Sequence, residues 1–201
     1  MAALLTLIAR MNPFISYLNT FVTLPIEAQQ AIESITIHRE LPRGSLLLAN
    51  GDVCKEFHFL ASGLVRVFYY KSGKDVTAWF AAEKAIASAI DSLFSGNPSM
   101  YNIELLEDSD IYSLQYHKLE LVLRQHPVVE RLGRLLVTHN YLLLDERMKL
   151  FAFCTAEERY ERLLQQLPDV FQRVKLGHVA SYLGISQEHL SRIRSAYRKN
   201  N

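Results

Sequence analysis

The sequence predicts an α+β chain: short N-terminal helices, an antiparallel β-roll, one long helix and a terminal helix-turn-helix. Three observations carry that expectation. Short β-rich runs punctuated by glycine fill the stretch from Ile37 to about Leu123, an unbroken apolar helical pattern follows to Phe153, and the window Leu176–Ser195 fits two short helices joined at Gly184.

The 201 residues are 49% hydrophobic and 21% charged, which gives one or two domains enough apolar surface to bury a core and excludes disorder or collagen-like repeats. Only Cys54 and Cys154 are present, far apart, so neither a disulfide framework nor a zinc or iron–sulfur cluster is indicated. Cys54, beside Lys55, is the one thiol placed to act as a redox switch. The apolar opening Ala2–Ala9 lacks a preceding basic region and stops at Arg10, short of a membrane span, so a soluble cytoplasmic protein with no membrane partner is expected.

From Ala2 to about Ile35, apolar residues recur at helical spacing (Leu4, Leu7, Ile8, then Phe14, Tyr17, Leu18, Phe21), with Pro13 and Pro25 dividing short helices. Strands are expected at Ser45–Leu48, Glu56–Leu60, Leu64–Tyr70, Asp75–Phe80, Tyr101–Leu106 and Asp110–Leu114. Gly51-Asp52, Ser62-Gly63 and Ser72-Gly73 supply the corners between them.

After His126-Pro127 the helix begins, with proline at a favoured first position. Val129, Leu136, Leu143 and Leu150 fall seven apart, and Leu132 widens the stripe, which makes this rod of roughly 40 Å the candidate dimer seam. Thr155-Ala-Glu-Glu158 then has the form of a capping box that opens the last domain.

Charge is distributed unevenly. The final segment from residue 170 carries six basic side chains and only Glu188 as an acid, a net +5 after −4 for everything before it. Such a segment suits a polyanion. Within it, Val179, Leu183, Ile185, Leu190 and Ile193 occupy the positions where two helices of a helix-turn-helix meet, and Ala180 supplies the small residue at their crossing. Ser186 can cap the second helix, whose outer face offers Gln187, Glu188 and Arg192 to base edges. Ser186, His189, Ser191, Arg194, Arg198 and Lys199 are candidates for the phosphate backbone.

This order of elements resembles the cyclic-AMP receptor protein (CRP/FNR) family of bacterial transcription regulators. The resemblance rests on Leu41-Pro-Arg-Gly44, Asn50-Gly51-Asp52 and Phe57-His-Phe-Leu-Ala-Ser-Gly63-Leu-Val65-Arg-Val67 in the roll, and on Ser186-Gln-Glu-His-Leu-Ser-Arg192-Ile in the second helix. It implies a cyclic-nucleotide-binding-like sensor roll over 1–126, a dimerisation helix over 127–154 and a DNA-binding domain over 155–201. It further implies a homodimer on double-stranded DNA, with RNA polymerase as a further partner. Family members read bases from the positions of Gln187, Glu188 and Arg192, usually as Arg, Glu and Arg, so Gln187 departs from the pattern.

Two further departures matter. The nucleotide cassette of the family has a Gly-Glu pair and an arginine for the cyclic phosphate, whereas this chain has Ala87-Ser-Ala-Ile-Asp-Ser92 and Pro98-Ser-Met-Tyr-Asn-Ile103, with Ser99 at the arginine position. From Ala85 to His117 there is no Lys or Arg but five carboxylates, a poor place to desolvate a phosphate, so no cyclic AMP cofactor is expected. A neutral effector would find Ser88, Asp91, Ser92, Ser99 and Tyr101 there. The chain also ends soon after the second helix, without the β-wing of typical members.

Catalysis is not expected, because His38 and His58 are isolated in the roll and no metal-ligand spacing or nucleophile–base pair is visible. The remaining alternative is a dimeric sensor of the same fold that acts through a protein partner rather than DNA.

Overall fold

A computed structural model describes residues 12–200, and the side chains of Lys199 and Asn200 lie outside the description, as do Leu4, Leu7 and Ile8. Helices α1 (Pro13–Leu18) and α2 (Ile26–Ser34) precede eight strands. These are β1 (Thr36–Leu41), β2 (Leu46–Leu48), β3 (Glu56–Ser62), β4 (Val65–Lys71), β5 (Lys74–Ala81), β6 (Ile86–Ala87), β7 (Asn102–Leu105) and β8 (Ser109–Gln115). Helix α3 (Ile90–Ser95) lies between β6 and β7. The helices α4 (Tyr116–Gln125), α5 (Pro127–Phe153), α6 (Ala156–Gln166), α7 (Val170–Arg173), α8 (Leu176–Leu183) and α9 (Gln187–Asn200) complete the chain.

The strands form two four-stranded antiparallel sheets, ordered β1-β8-β3-β6 and β2-β7-β4-β5, which is the expected roll. Alternation explains the closure: Leu60, Val65, Val67, Ile103, Leu105 and Ile111 turn inward and pack between the sheets. The β4–β5 hairpin pairs Lys71 with Lys74 across Ser72 and Gly73, both at positive φ, the two-residue turn whose twist matches the strands. Gly63 is required by space as well as conformation, since a methyl there would lie 2.0 Å from Ser109 Oγ.

Five elements escaped the sequence pattern. Strands β1 and β6 and helices α3 and α7 are edge or very short pieces with weak periodicity. Helix α4 lies partly where strand texture was expected; Leu119, Val122 and Leu123 instead present a helical face to a second core. That core joins α1, α2, α4 and the start of α5 to Phe59 and Leu114 of the roll.

The structure corrects part of the expected dimer seam. Val129 and Leu132 are each 2% exposed in this second core, and Leu136 packs against it, so they tie α5 to its own roll. Leu143 and Leu150 are half-buried. The free apolar face lies beside them: Val137, Tyr141, Leu144, Met148 and Phe151 are exposed and alternate at spacings of four and three.

The third core belongs to the C-terminal helices but takes Leu64 and Leu106 from the roll, and thus binds the two parts together. No helix among the described residues is long and apolar enough to cross a membrane.

Candidate nucleic-acid interface and its seat on the roll

Thr155 opens α6 with the expected reciprocal cap: its Oγ1 accepts from the Glu158 amide at 3.2 Å, and Glu158 Oε2 accepts from the Thr155 amide at 2.7 Å. Helix α8 ends at Gly184, which takes a left-handed φ of 70° and turns the chain into α9. Ser186 Oγ accepts from the His189 amide at 3.2 Å and so starts α9. Leu190 and Ile193 lock α9 against Val179, Ala180 and Leu183, leaving the opposite face outward.

On that outward face Gln187, Glu188, Ser191 and Arg192 are all exposed, so the structure brings the expected base-reading residues together on one helix. Glu188 has its pKa lowered, first by its own backbone amide and then by the Ser186 hydroxyl, with Arg192 adding to the effect. Gln187 crosses over Gly177 of α8, which leaves room for the side-chain amide.

The backbone-contact candidates divide. Arg198, Ser186 and Ser191 are exposed. Arg194 is turned inward, with its guanidinium 4.0 Å over the Phe171 ring, and the His189 Nε2 faces Glu157 at 3.7 Å. Both therefore stabilise the domain rather than its outer face. The reason is angular: position 194 lies nearer the side of the helix that carries Leu190 than the side that carries Arg192. The Lys199 side chain is outside the described residues.

The candidate effector residues lie around the segment from β6 to β7, and the hydroxyls of the three serines are engaged by backbone groups. Ser92 Oγ donates to the Asn97 carbonyl at 2.6 Å and accepts the Cys54 amide at 2.9 Å. Ser88 Oγ donates to the Glu56 carbonyl at 3.0 Å, and Ser99 Oγ accepts the Tyr101 amide at 3.0 Å. Asp91 is exposed, and burial, then the charge of Asp91, raises the Tyr101 pKa. These residues do not fit a cyclic nucleotide: Ser92 and Ser99 are buried with backbone partners, and no cation stands in the segment to meet a phosphate. Cys54 is buried 3.3 Å from Ser88 Oγ, which suits a packed thiol rather than an accessible redox switch. Among the described residues no cluster of His, Cys, Asp or Glu could hold a metal ion.

The sequence did not reveal that α8 is seated on the roll. Its partner is β5, the edge strand of its sheet. Ser181 Oγ accepts the outward-facing Thr77 amide at 3.0 Å and shares a hydrogen bond with Thr77 Oγ1 at 2.9 Å. Arg66, 2% exposed, donates from Nε to Thr77 Oγ1 at 2.9 Å, and its Nη2 lies 2.5 Å from Asp75 Oδ2, an ion pair in distance though not in hydrogen-bond angle. Phe80 packs against Tyr182 with the rings tilted by 42° and their centroids 5.0 Å apart. The only hint in the sequence is an arginine inside the apolar run Leu64-Val-Arg-Val-Phe68.

A second attachment is ionic. Arg173 of α7 bridges Glu83 at 2.7 Å and Glu107 at 2.6 Å, with Asp169 at 3.3 Å. Its pKa is raised first by the hydrogen bond it donates to Glu107 and then by those it donates to Glu83, against the opposing effect of burial. At the junction of α5, α6 and α8, a crevice contains Arg147, Arg159 and Arg162, but these charges have partners. Arg147 donates to the Tyr182 carbonyl at 3.3 Å, Arg159 to those of Leu183 and Cys154 at 3.1 and 2.8 Å, and Arg162 pairs with Glu146. Arg147 and Arg159 close helix C-termini and Arg162 is neutralised by Glu146, so none of the three awaits an anion.

Residues 38–126 match the cyclic nucleotide-binding domain family. No curated protein matches the chain by sequence. Among solved structures, the chain is similar to the catabolite activator protein of Thermus thermophilus at 20% identity and a TM-score of 0.55, over 94% of this chain and 88% of that one. It is similar to FixK2 of Bradyrhizobium japonicum at 16% identity and a TM-score of 0.69, over 83% and 86% of the two chains. A crp/fnr-family transcriptional regulator from Eubacterium rectale shares 14% identity at a TM-score of 0.67, over 92% and 88%. Residues 38–126 thus match the cyclic nucleotide-binding domain model, and the chain that carries them has a fold similar to those of the Thermus thermophilus catabolite activator protein, FixK2 and the crp/fnr-family regulator.

Proposed function

We propose that this protein is a sequence-specific DNA-binding transcription regulator of the CRP/FNR type that acts as a homodimer. The observation that carries the reading is the outward face of α9, where Gln187, Glu188, Ser191 and Arg192 stand exposed while Leu190 and Ile193 fasten the helix from behind. Arg192 suits guanine, Gln187 adenine and Glu188 the cytosine amino group in the major groove, while Arg198 and Lys199 suit phosphates.

The dimer uses the exposed strip Val137, Tyr141, Leu144, Met148 and Phe151 of α5, an apolar face that a second copy of the helix covers at coiled-coil spacing. Two copies joined there present two recognition helices to major grooves about one turn apart. The roll is the regulatory part, and its effector is something other than cyclic AMP, because the committed serine hydroxyls and the absent cation leave a cyclic phosphate unsatisfied. Transcription regulation implies a cytoplasmic location and contact with RNA polymerase.

Selection of genomic fragments by the purified protein at fixed salt, with and without cyclic AMP, tests the reading. A palindromic site recovered by the wild type and lost by Arg192→Ala, indifferent to cyclic AMP, supports it. Failure to enrich any fragment counts against DNA and in favour of a protein partner.

A further inference from the structure

The seat of α8 on β5 contains a histidine, the side chain whose unperturbed charge change falls nearest neutral pH. His178 lies on the α8 face that meets the roll, with Nε2 3.8 Å from Asp75 Oδ2 of β5. Its Nδ1 is buried with no hydrogen-bond partner among the described residues. The charged groups that face it are Arg66 from β4, Asp75 from β5 and Lys175 at the start of its own helix.

We infer that the docking of α8 on the roll is a proton-sensitive latch, closed while His178 is neutral and loosened when it is protonated. In the neutral ring, the N–H on Nε2 points toward Asp75, and Nδ1 needs no donor role. Protonation creates a second N–H at Nδ1, in a buried position with nothing to accept it. It also sets a second cation beside the guanidinium of Arg66, which is buried between the same elements and already draws on the charge of Asp75.

Burial first, then Arg66, lowers the His178 pKa; Asp75 opposes this, and Lys175 adds to it. The closed state therefore binds the proton less readily than the open one, where the ring is solvated. Acidification through the ordinary histidine range draws the equilibrium toward release. The proton acts on the orientation of the reading helix, because Ser181, His178 and Tyr182 share the short helix against which α9 is packed.

The Thr77 amide reports the latch without DNA. It lies on an edge strand and its acceptor is Ser181 Oγ, so undocking exposes it to solvent exchange. Hydrogen exchange followed by NMR on the full chain, corrected for the intrinsic pH dependence of exchange, is compared at about pH 7.5 and about pH 5.5. The amides of Ile103 and Leu105 serve as internal markers of the intact roll. The expected result is a loss of Thr77 protection at the lower pH in the wild type that exceeds any loss at the roll markers, and no such excess in His178→Gln. Ser181→Ala should remove the protection at both pH values.

Equal protection at both pH values in the wild type overturns the latch, as does an unchanged pH response in His178→Gln. Retained protection in Ser181→Ala overturns it as well, because the docked contact is then absent in solution. Should His178→Gln not fold, titration of the His178 ring in the wild type decides the question. A midpoint below that of free histidine that coincides with the loss of Thr77 protection supports the latch, and any other midpoint refutes it. None of these readouts depends on DNA binding.

Discussion

Gln187 lays its side-chain amide against Gly177: a methyl built on that glycine would meet Nε2 at 2.8 Å and Cδ at 3.5 Å. The first helix of the pair therefore shapes the path of a residue on the second, and α8 acts on the reading face without belonging to it. A missing side chain at 177 is part of how 187 is aimed.

Gly177→Ala should change the preferred base at the position read by Gln187 by less than the full value of a bidentate contact, about 1 to 3 kcal/mol. Only the far end of a flexible side chain has to move. Alanine gains about 1 kcal/mol of helix propensity over glycine, so the melting temperature should hold or rise. Binding-site selection with the variant, beside a thermal melt, checks both halves.

Arg192→Ala should lose discrimination by about 1 to 3 kcal/mol at one base pair per half-site while keeping its affinity for random DNA. Lys199→Ala should weaken binding to every sequence and shallow the salt dependence. Titrations on specific and random duplexes at several salt concentrations separate the two, and equal losses on both DNAs for both variants would contradict the assigned roles.

Two leucines of α5 should behave oppositely. Leu132 is 2% exposed beneath α1 and α4, so Leu132→Ala should cost about 2 to 5 kcal/mol of stability. Leu144, 50% exposed on the free strip, should tolerate Leu144→Asp as a folded chain that no longer dimerises. Urea denaturation and sedimentation equilibrium measure the respective effects.

The roll should weaken in acid through His58, which is buried with Nδ1 2.9 Å from Ser113 Oγ. Burial, partly offset by Glu56 and reinforced by Arg39, lowers its pKa from 6.5 to about 4. The neutral ring is the folded form, so its contribution is complete above about pH 6.5, is lost as the pH falls, and reaches a floor below about pH 4. The full loss is on the order of 3 kcal/mol. Urea midpoints measured across that window should fall steadily in the wild type and less in His58→Gln.

Local chemistry made much of this protein legible from its sequence. The capping box at Thr155, the turn at Gly184, the cap at Ser186 and the glycine corners each depend on residues within a few positions of one another, and each is present in the structure. The α+β architecture followed from the same short-range patterns, glycine-punctuated β-rich runs in the roll and helical spacing of apolar residues elsewhere. Three matters were decided by tertiary structure alone. Helix α5 has two apolar stripes, and only the positions of α1, α2 and α4 determine that Val129 and Leu132 pack within their own chain while Leu144 and Met148 stay free. The serines of the expected pocket were visible as hydroxyls, but their backbone partners come from chain segments up to 38 residues away. Arg66 and His178 stand more than a hundred residues apart in the sequence, and the charge of each acquires its meaning only where α8 covers the edge of β5. Periodicity reports which face of an element is apolar; which surface covers that face is a long-range packing decision that no local pattern contains.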